Sequence, residues 1–148
     1  MKLIALDVDG TLLNSNHEIS QKTRRAIIKS LEEGHKVVIV SGRPTKAINH
    51  IAKELSLDKY GGLISAFNGG TIINYETGHE LTNHTLDLDL AKEIIKESRK
   101  LDIDVLIPKN KTMISYRDNK YLDLEKEILG FETEVRENII ENIDFNPN

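Results

Sequence analysis

The chain has no cysteine among its 148 residues. That excludes disulfide scaffolds, zinc–thiolate centres and thiol catalysis. Long apolar runs are also missing, since nothing approaches the roughly 20 residues that cross a bilayer. The opening MKLIAL is too short for a signal-peptide core and meets acid by position 7. A cytoplasmic protein that does not engage a membrane is therefore expected. The sequons Asn83-His84-Thr85 and Asn110-Lys111-Thr112 are chance matches on that expectation. Basic stripes are absent too. Residues 1–80 carry 10 basic and 9 acidic side chains, and residues 81–148 carry 10 and 15. Four tyrosines and three phenylalanines form no stacking platform, so nucleic acid is not an expected partner. The acidic excess of the second part reads as solvated helix surface.

Other catalytic signatures fail as well. The five histidines, at 17, 35, 50, 79 and 84, include no i, i+4 pair for zinc. There is no G-x-S-x-G elbow, and the stretch from Gly42 to Lys46 lacks the glycine spacing of a P-loop.

What is present reads first as alternating strands and helices. Residues 3–8 form a continuous apolar run, the pattern of a strand buried on both faces. Ser20 can cap a helix carrying Ile27, Ile28 and Leu31, which Gly34 ends. Residues 36–40 are a β-branched second strand. Pro44 suits the first position of the next helix, whose Ile48, Ile51, Ala52 and Leu55 recur at i, i+3, i+4, i+7. Gly61-Gly62 breaks the chain before a third strand at 63–67. This βαβαβ order implies right-handed crossovers and a parallel, Rossmann-like sheet.

Beyond residue 70 the pattern changes. A hairpin is expected from 71–75 to 79–82, then a helix at 88–100 with Leu90, Ile94, Ile95 and Leu101 on its apolar side. Strands are expected at 104–108 and 111–117, with Pro108 ending the first, and amphipathic helices at 119–129 and 135–143. The fold class is thus α/β, a core over residues 1–80 and an α+β part over 81–148 with helices on an antiparallel sheet. The boundary falls near 78–86.

Three polar segments each follow a core strand: Asp7-Val8-Asp9-Gly10-Thr11, Ser41-Gly42-Arg43 and Asn68-Gly69-Gly70. In an open parallel sheet, ligands bind at the carboxyl ends of the strands, so the three converge on one crevice. Asp7 and Asp9, two apart near a strand end, can project to one side. Paired carboxylates call for a cation, and magnesium prefers oxygen ligands while keeping several waters. Gly10 lets the backbone bend and present amide donors, and Thr11 adds a hydroxyl. The set suits a phosphoryl group. A plain Asp-Gly turn with Asp7 capping something local is the alternative. Ser41 either caps the following helix or donates to a phosphoryl oxygen. Arg43 contacts substrate or pairs with a carboxylate. Asn68 and Gly69 make only a turn, or line the crevice and hinge the second part.

ALDVDGTLL, VSGRP and SAFNGGTII resemble the opening of the haloacid dehalogenase-like phosphatases, specifically the Cof-like branch, over nearly all of residues 1–148. The resemblance implies a phosphohydrolase of small phosphorylated metabolites, with an α+β cap inserted after the third core strand. Asp7 is then the nucleophile that forms an aspartyl-phosphate, and Asp9 the general acid and base. The Asp7 carboxylate and the Asp9 backbone carbonyl bind Mg2+. Thr11 and Ser41 hold the phosphate, with Gly10, Gly42, Arg43, Asn68 and Gly69 around it. The cap closes over the site and chooses the substrate. That family's later lysine and Gly-Asp…Asn-Asp stretch have no counterpart here, and no Gly-Asp pair occurs. Core and cap are both expected to be incomplete, as in the first half of such an enzyme. The competing expectation is a catalytically weak fragment that self-associates through an exposed edge of the core sheet.

Overall fold

A computed structural model describes residues 1–148. The chain divides into two compact units, Met1–His84 and Thr85–Asn148.

In the first unit, β1 (Leu3–Asp7), β2 (Lys36–Val40) and β3 (Leu63–Ala66) pair side by side in parallel. β4 (Thr71–Asn74) and β5 (Glu80–Asn83) extend the same sheet antiparallel, giving the order β1-β2-β3-β4-β5. Helices α1 (Gln21–Glu32) and α2 (Thr45–Glu54) are the crossovers, followed by the single turn α3 (Leu57–Tyr60). α1 begins where the Ser20 hydroxyl accepts the Thr23 N–H at 3.1 Å. Beyond its end, Gly34 takes φ +81°, a conformation that costs glycine little. Val37, Ile39 and Ile64 from the strands, with Ile48, Ile51, Leu55 and Leu57 from the helices, are fully buried. Each contributes about 1.5–3 kcal/mol of transfer free energy. At Gly62 a Cβ would stand 2.7 Å from Leu57 Cδ2, so glycine lets α3 pack flat against the start of β3.

Two expectations change here. β1 is not buried on both faces. It pairs only with β2, at the sheet edge, and Leu3 is 65% exposed. Ala5 and Asp7 are exposed with it, while Ile4 and Leu6 on the alternate face are half-buried. Pro44 stands just outside α2 rather than at its first position, because its ψ of 148° is extended.

The second unit starts with α4 (Leu88–Lys100), capped by the Asp87 carboxylate, which accepts the Asp89 N–H at 2.9 Å. β6 (Ile107–Lys109) and β7 (Thr112–Ser115) form a hairpin, and α5 (Lys120–Leu129) follows, capped by Asn119 and ended by Gly130 at φ +64°. The expected helix over 135–143 is corrected. β8 (Glu132–Val135) lies parallel to β7, and only one helical turn, α6 (Ile139–Asn142), remains. The sheet, ordered β6-β7-β8, is therefore mixed rather than antiparallel. The free edge of β7 decides this, and the ladder runs on to an Arg136 N–H donated to Ser115 C=O at 2.8 Å. Ile139 and Ile143 are buried with Ile95, Ile107, Ile114 and Tyr116.

Candidate functional site

All the residues singled out at the strand ends lie in the first unit, and the parallel register aligns their starting points. Asp7 pairs with Val40, and Val40 with Ser65. Past Asp7 the chain makes one wide turn over Val8–Leu12, closed by the Leu13 N–H donating to Val8 C=O at 3.0 Å. Inside that turn Asp9 is extended (φ −82°, ψ 121°) and Gly10 is left-handed (φ +75°), a conformation that disfavours any side chain. Val8 and Leu12 are completely or nearly buried and anchor the turn, which leaves Asp7, Asp9, Gly10 and Thr11 exposed.

The two carboxylates differ in partners. Asp9 is gripped by Arg43, with Nε donating to Oδ2 at 2.9 Å and Nη2 to Oδ1 at 2.6 Å. A two-pronged guanidinium–carboxylate pair fixes orientation as well as charge. The Arg43 side chain is 16% exposed and the Asp9 side chain 53% exposed. Asp7 makes no capping bond, and no ion pair of the chain includes it. Its carboxylate faces solvent without a cation beside it. Of the two roles open to Arg43 in the sequence, the structure thus shows a carboxylate partner.

The loop after β2 is organised by Ser41, which is 4% exposed. Its hydroxyl accepts the Arg43 N–H at 3.1 Å, and its own N–H donates to Ser65 C=O at 2.9 Å. The loop after β3 is fastened to it twice. The Phe67 N–H donates to Arg43 C=O at 3.2 Å, and the Asn68 N–H to Ser41 C=O at 3.0 Å. Phe67, Asn68 and Gly69 all take positive φ, at 51°, 54° and 96°. For a bulky residue such as Phe67 that costs on the order of 1 kcal/mol, so surrounding bonds must hold it. Asn68 and Gly69 signal such a bend in the sequence; Phe67 does not, and its place in the brace was missed.

The structure therefore brings Asp9 against Arg43 and Asn68 against Gly42. It places Thr11 and Gly69 exposed or half-exposed at the same strand ends, without a side-chain bond for Thr11. No group of three or more His, Asp or Glu converges anywhere in the chain. A cation at this site would rest on Asp7, backbone oxygen and water. That donor set is small and all oxygen, which fits magnesium rather than a nitrogen-seeking metal.

Over 122 residues the chain is 36% identical to the 5-amino-6-(5-phospho-D-ribitylamino)uracil phosphatase YwtE of Bacillus subtilis, covering 82% of this chain and 38% of that one. It is 35% identical over 95 residues to the phosphatase YwpJ of the same organism, covering 64% and 32%. A crystal structure of a haloacid dehalogenase-like hydrolase from Bacteroides thetaiotaomicron matches with a TM-score of 0.88 at 30% identity, over 99% of this chain and 55% of that one. A Thermotoga maritima structure matches at 0.77 and 27%, over 98% and 53%. The chain thus spans about a third of these curated relatives and about half of the solved structures. A model of the haloacid dehalogenase-like hydrolase family matches residues 4–147, and the chain belongs to that family.

Proposed function

We propose that the chain carries the nucleophile half of a magnesium-dependent phosphohydrolase for small phosphorylated metabolites. The observation that carries this reading is the contrast between Asp7, at the end of β1, and Asp9, in the turn that follows, with only the second paired. An unpaired, solvent-facing carboxylate is free to attack. One oriented by a guanidinium is held for proton transfer.

On this reading an Asp7 carboxylate oxygen attacks phosphorus, the bond from phosphorus to the leaving oxygen breaks, and Asp9, entering this step as the neutral acid with a proton taken up from solvent, delivers that proton to the leaving oxygen. Asp9 then takes a proton from water, the water oxygen attacks the aspartyl-phosphate, and inorganic phosphate leaves with Asp7 regenerated. Thr11 and Ser41 donate hydroxyl protons to phosphoryl oxygens, and the amides of the Gly10 turn add further donors. The Asp7 carboxylate and the Asp9 backbone carbonyl would hold Mg2+, which when bound neutralises charge on the phosphoryl group. Gly42, Arg43, Asn68 and Gly69 form the remaining wall. The unit Thr85–Asn148 is read as a cap that selects the substrate. The relatives' name for a phosphorylated ribitylaminouracil supports a metabolite-sized substrate of this general kind.

The test is phosphate release from an aryl phosphate, with and without Mg2+. Release that needs the metal supports the reading. Release that is absent under both conditions, in a folded chain, contradicts it.

A second reading is favoured by the open edge of β1, where Leu3 is 65% exposed. There the chain turns over substrate weakly and pairs with a second copy through that edge. Sedimentation at micromolar concentration decides it, because a stable monomer is incompatible with such pairing.

A further inference from the structure

The loop carrying Arg43 has no side chain at position 42, and the reason lies across the crevice. A Cβ built on Gly42 would sit 3.1 Å from Asn68 Oδ1, 3.5 Å from Nδ2 and 3.6 Å from Cγ. The φ of Gly42 is not left-handed, so the backbone does not demand glycine there. A methyl group there would press on the exposed Asn68 amide, which would have to give by a few tenths of an ångström. Asn68 reaches that place because its own backbone is left-handed, between left-handed Phe67 and Gly69. The same bend turns the Phe67 and Asn68 N–H groups back onto Arg43 C=O and Ser41 C=O. Asn68 tolerates this conformation better than most residues. One segment thus sets a side chain beside the middle of the Ser41-Gly42-Arg43 loop and ties both its ends with backbone bonds.

We infer that Asn68 is a positioning residue: its amide, seated against Gly42, sets the loop from which Arg43 reaches both oxygens of Asp9. Its effect on Asp9 runs through Gly42 and Arg43. This inference rests on the reading of Asp9 as the proton-transfer group only for its effect on rate. The placement of Arg43 itself is a structural statement and is read without turnover.

The experiment uses the full chain labelled with 15N, with the Arg43 Nε–H resonance assigned by its loss in Arg43→Lys. Paired to Asp9, that proton exchanges slowly with water. Gly42→Ala forces a methyl group into the Asn68 amide, and the exchange rate is expected to rise by about tenfold or more. Adding Asn68→Gly keeps a residue that accepts positive φ and removes the obstruction. The double variant is then expected to match Asn68→Gly alone, a coupling of two positions in contact. Should Gly42→Ala fail to fold, as judged by circular dichroism, Asn68→Gly decides by itself, with exchange faster than in the parent expected. Parent-like exchange in Gly42→Ala, or in Asn68→Gly when it stands alone, overturns the inference. So does a double variant no better than Gly42→Ala. In phosphate release, Gly42→Ala is expected to lower kcat while KM stays within about twofold, since the affected pair serves proton transfer rather than binding. A parent chain without phosphate release refutes the proposed function and leaves the exchange measurement to judge Asn68.

Discussion

Arg43 and Asp9 meet in a two-pronged pair, Nε to Oδ2 at 2.9 Å and Nη2 to Oδ1 at 2.6 Å, although 34 residues separate them in sequence. The parallel pairing of β1 with β2 makes this possible, because it brings the two strand ends side by side. The buried Ser41 hydroxyl then holds the Arg43 backbone N–H. Asp9 is exposed enough that the pair adds little to stability. Its value is orientation. Arg43→Lys keeps the charge and loses the fork, and kcat for phosphate release is expected to fall about ten- to a hundredfold. Chemical denaturation of the same variant should stay within about 1 kcal/mol of the parent. Unchanged kcat would separate the pair from catalysis.

Gly62 supports β3 from below. A methyl group there would stand within 2.7–2.9 Å of three Leu57 side-chain atoms, and Leu57 is fully buried. Gly62→Ala is expected to lower stability by about 1–3 kcal/mol, the usual cost of overpacking. Urea unfolding checks this, and a partial recovery in Gly62→Ala with Leu57→Ala would identify the clash as the cause.

Ile39 sits in the middle of β2 with no exposed surface. Ile39→Ala should cost about 2–5 kcal/mol. Across a domain whose total stability is of order 5–15 kcal/mol, a loss that size is readily measured by thermal or urea unfolding.

Tyr75 links stability to alkaline pH. Burial pushes its phenol above the ordinary value of 10.0, and nearby Asp58 adds to the effect. Its hydroxyl donates to Asn49 C=O at 3.0 Å. A folded-state value above the unfolded one means the contribution is fully present below pH about 10 and is lost as pH rises through the raised value. Tyr75→Phe removes that dependence. Stability curves of parent and variant should therefore converge as pH climbs above 10, and parallel curves would contradict the assignment.

Much of the core was legible because its signals are local and redundant. Residues 37–40 are β-branched throughout, Ile48, Ile51, Ala52 and Leu55 keep a strict helical period, and Ser20 supplies a cap. The aspartate turn was legible from Gly10, whose left-handed φ few other residues tolerate. Contacts between distant segments were not. The sequence leaves Arg43 open between a ligand and a carboxylate, since only the β1–β2 register brings Asp9 to it. β8 escaped notice because Glu132–Val135 is four residues long and half acidic, and only the free edge of β7 makes it a strand. β1 misled in the other direction. Its apolar run signals burial on both faces, yet pairing on one side alone leaves Leu3 and Ala5 exposed.

Asp7 as the acceptor of the phosphoryl group is read out by mass spectrometry of the intact and cleaved protein. The chain is mixed with an excess of aryl phosphate and Mg2+, quenched in acid, and cleaved to find the modified peptide. A single phosphate is expected on the peptide containing Asp7 in the parent and in Asp9→Asn, and none in Asp7→Asn. A phosphate that persists in Asp7→Asn, or undiminished phosphate release by that variant, would contradict it.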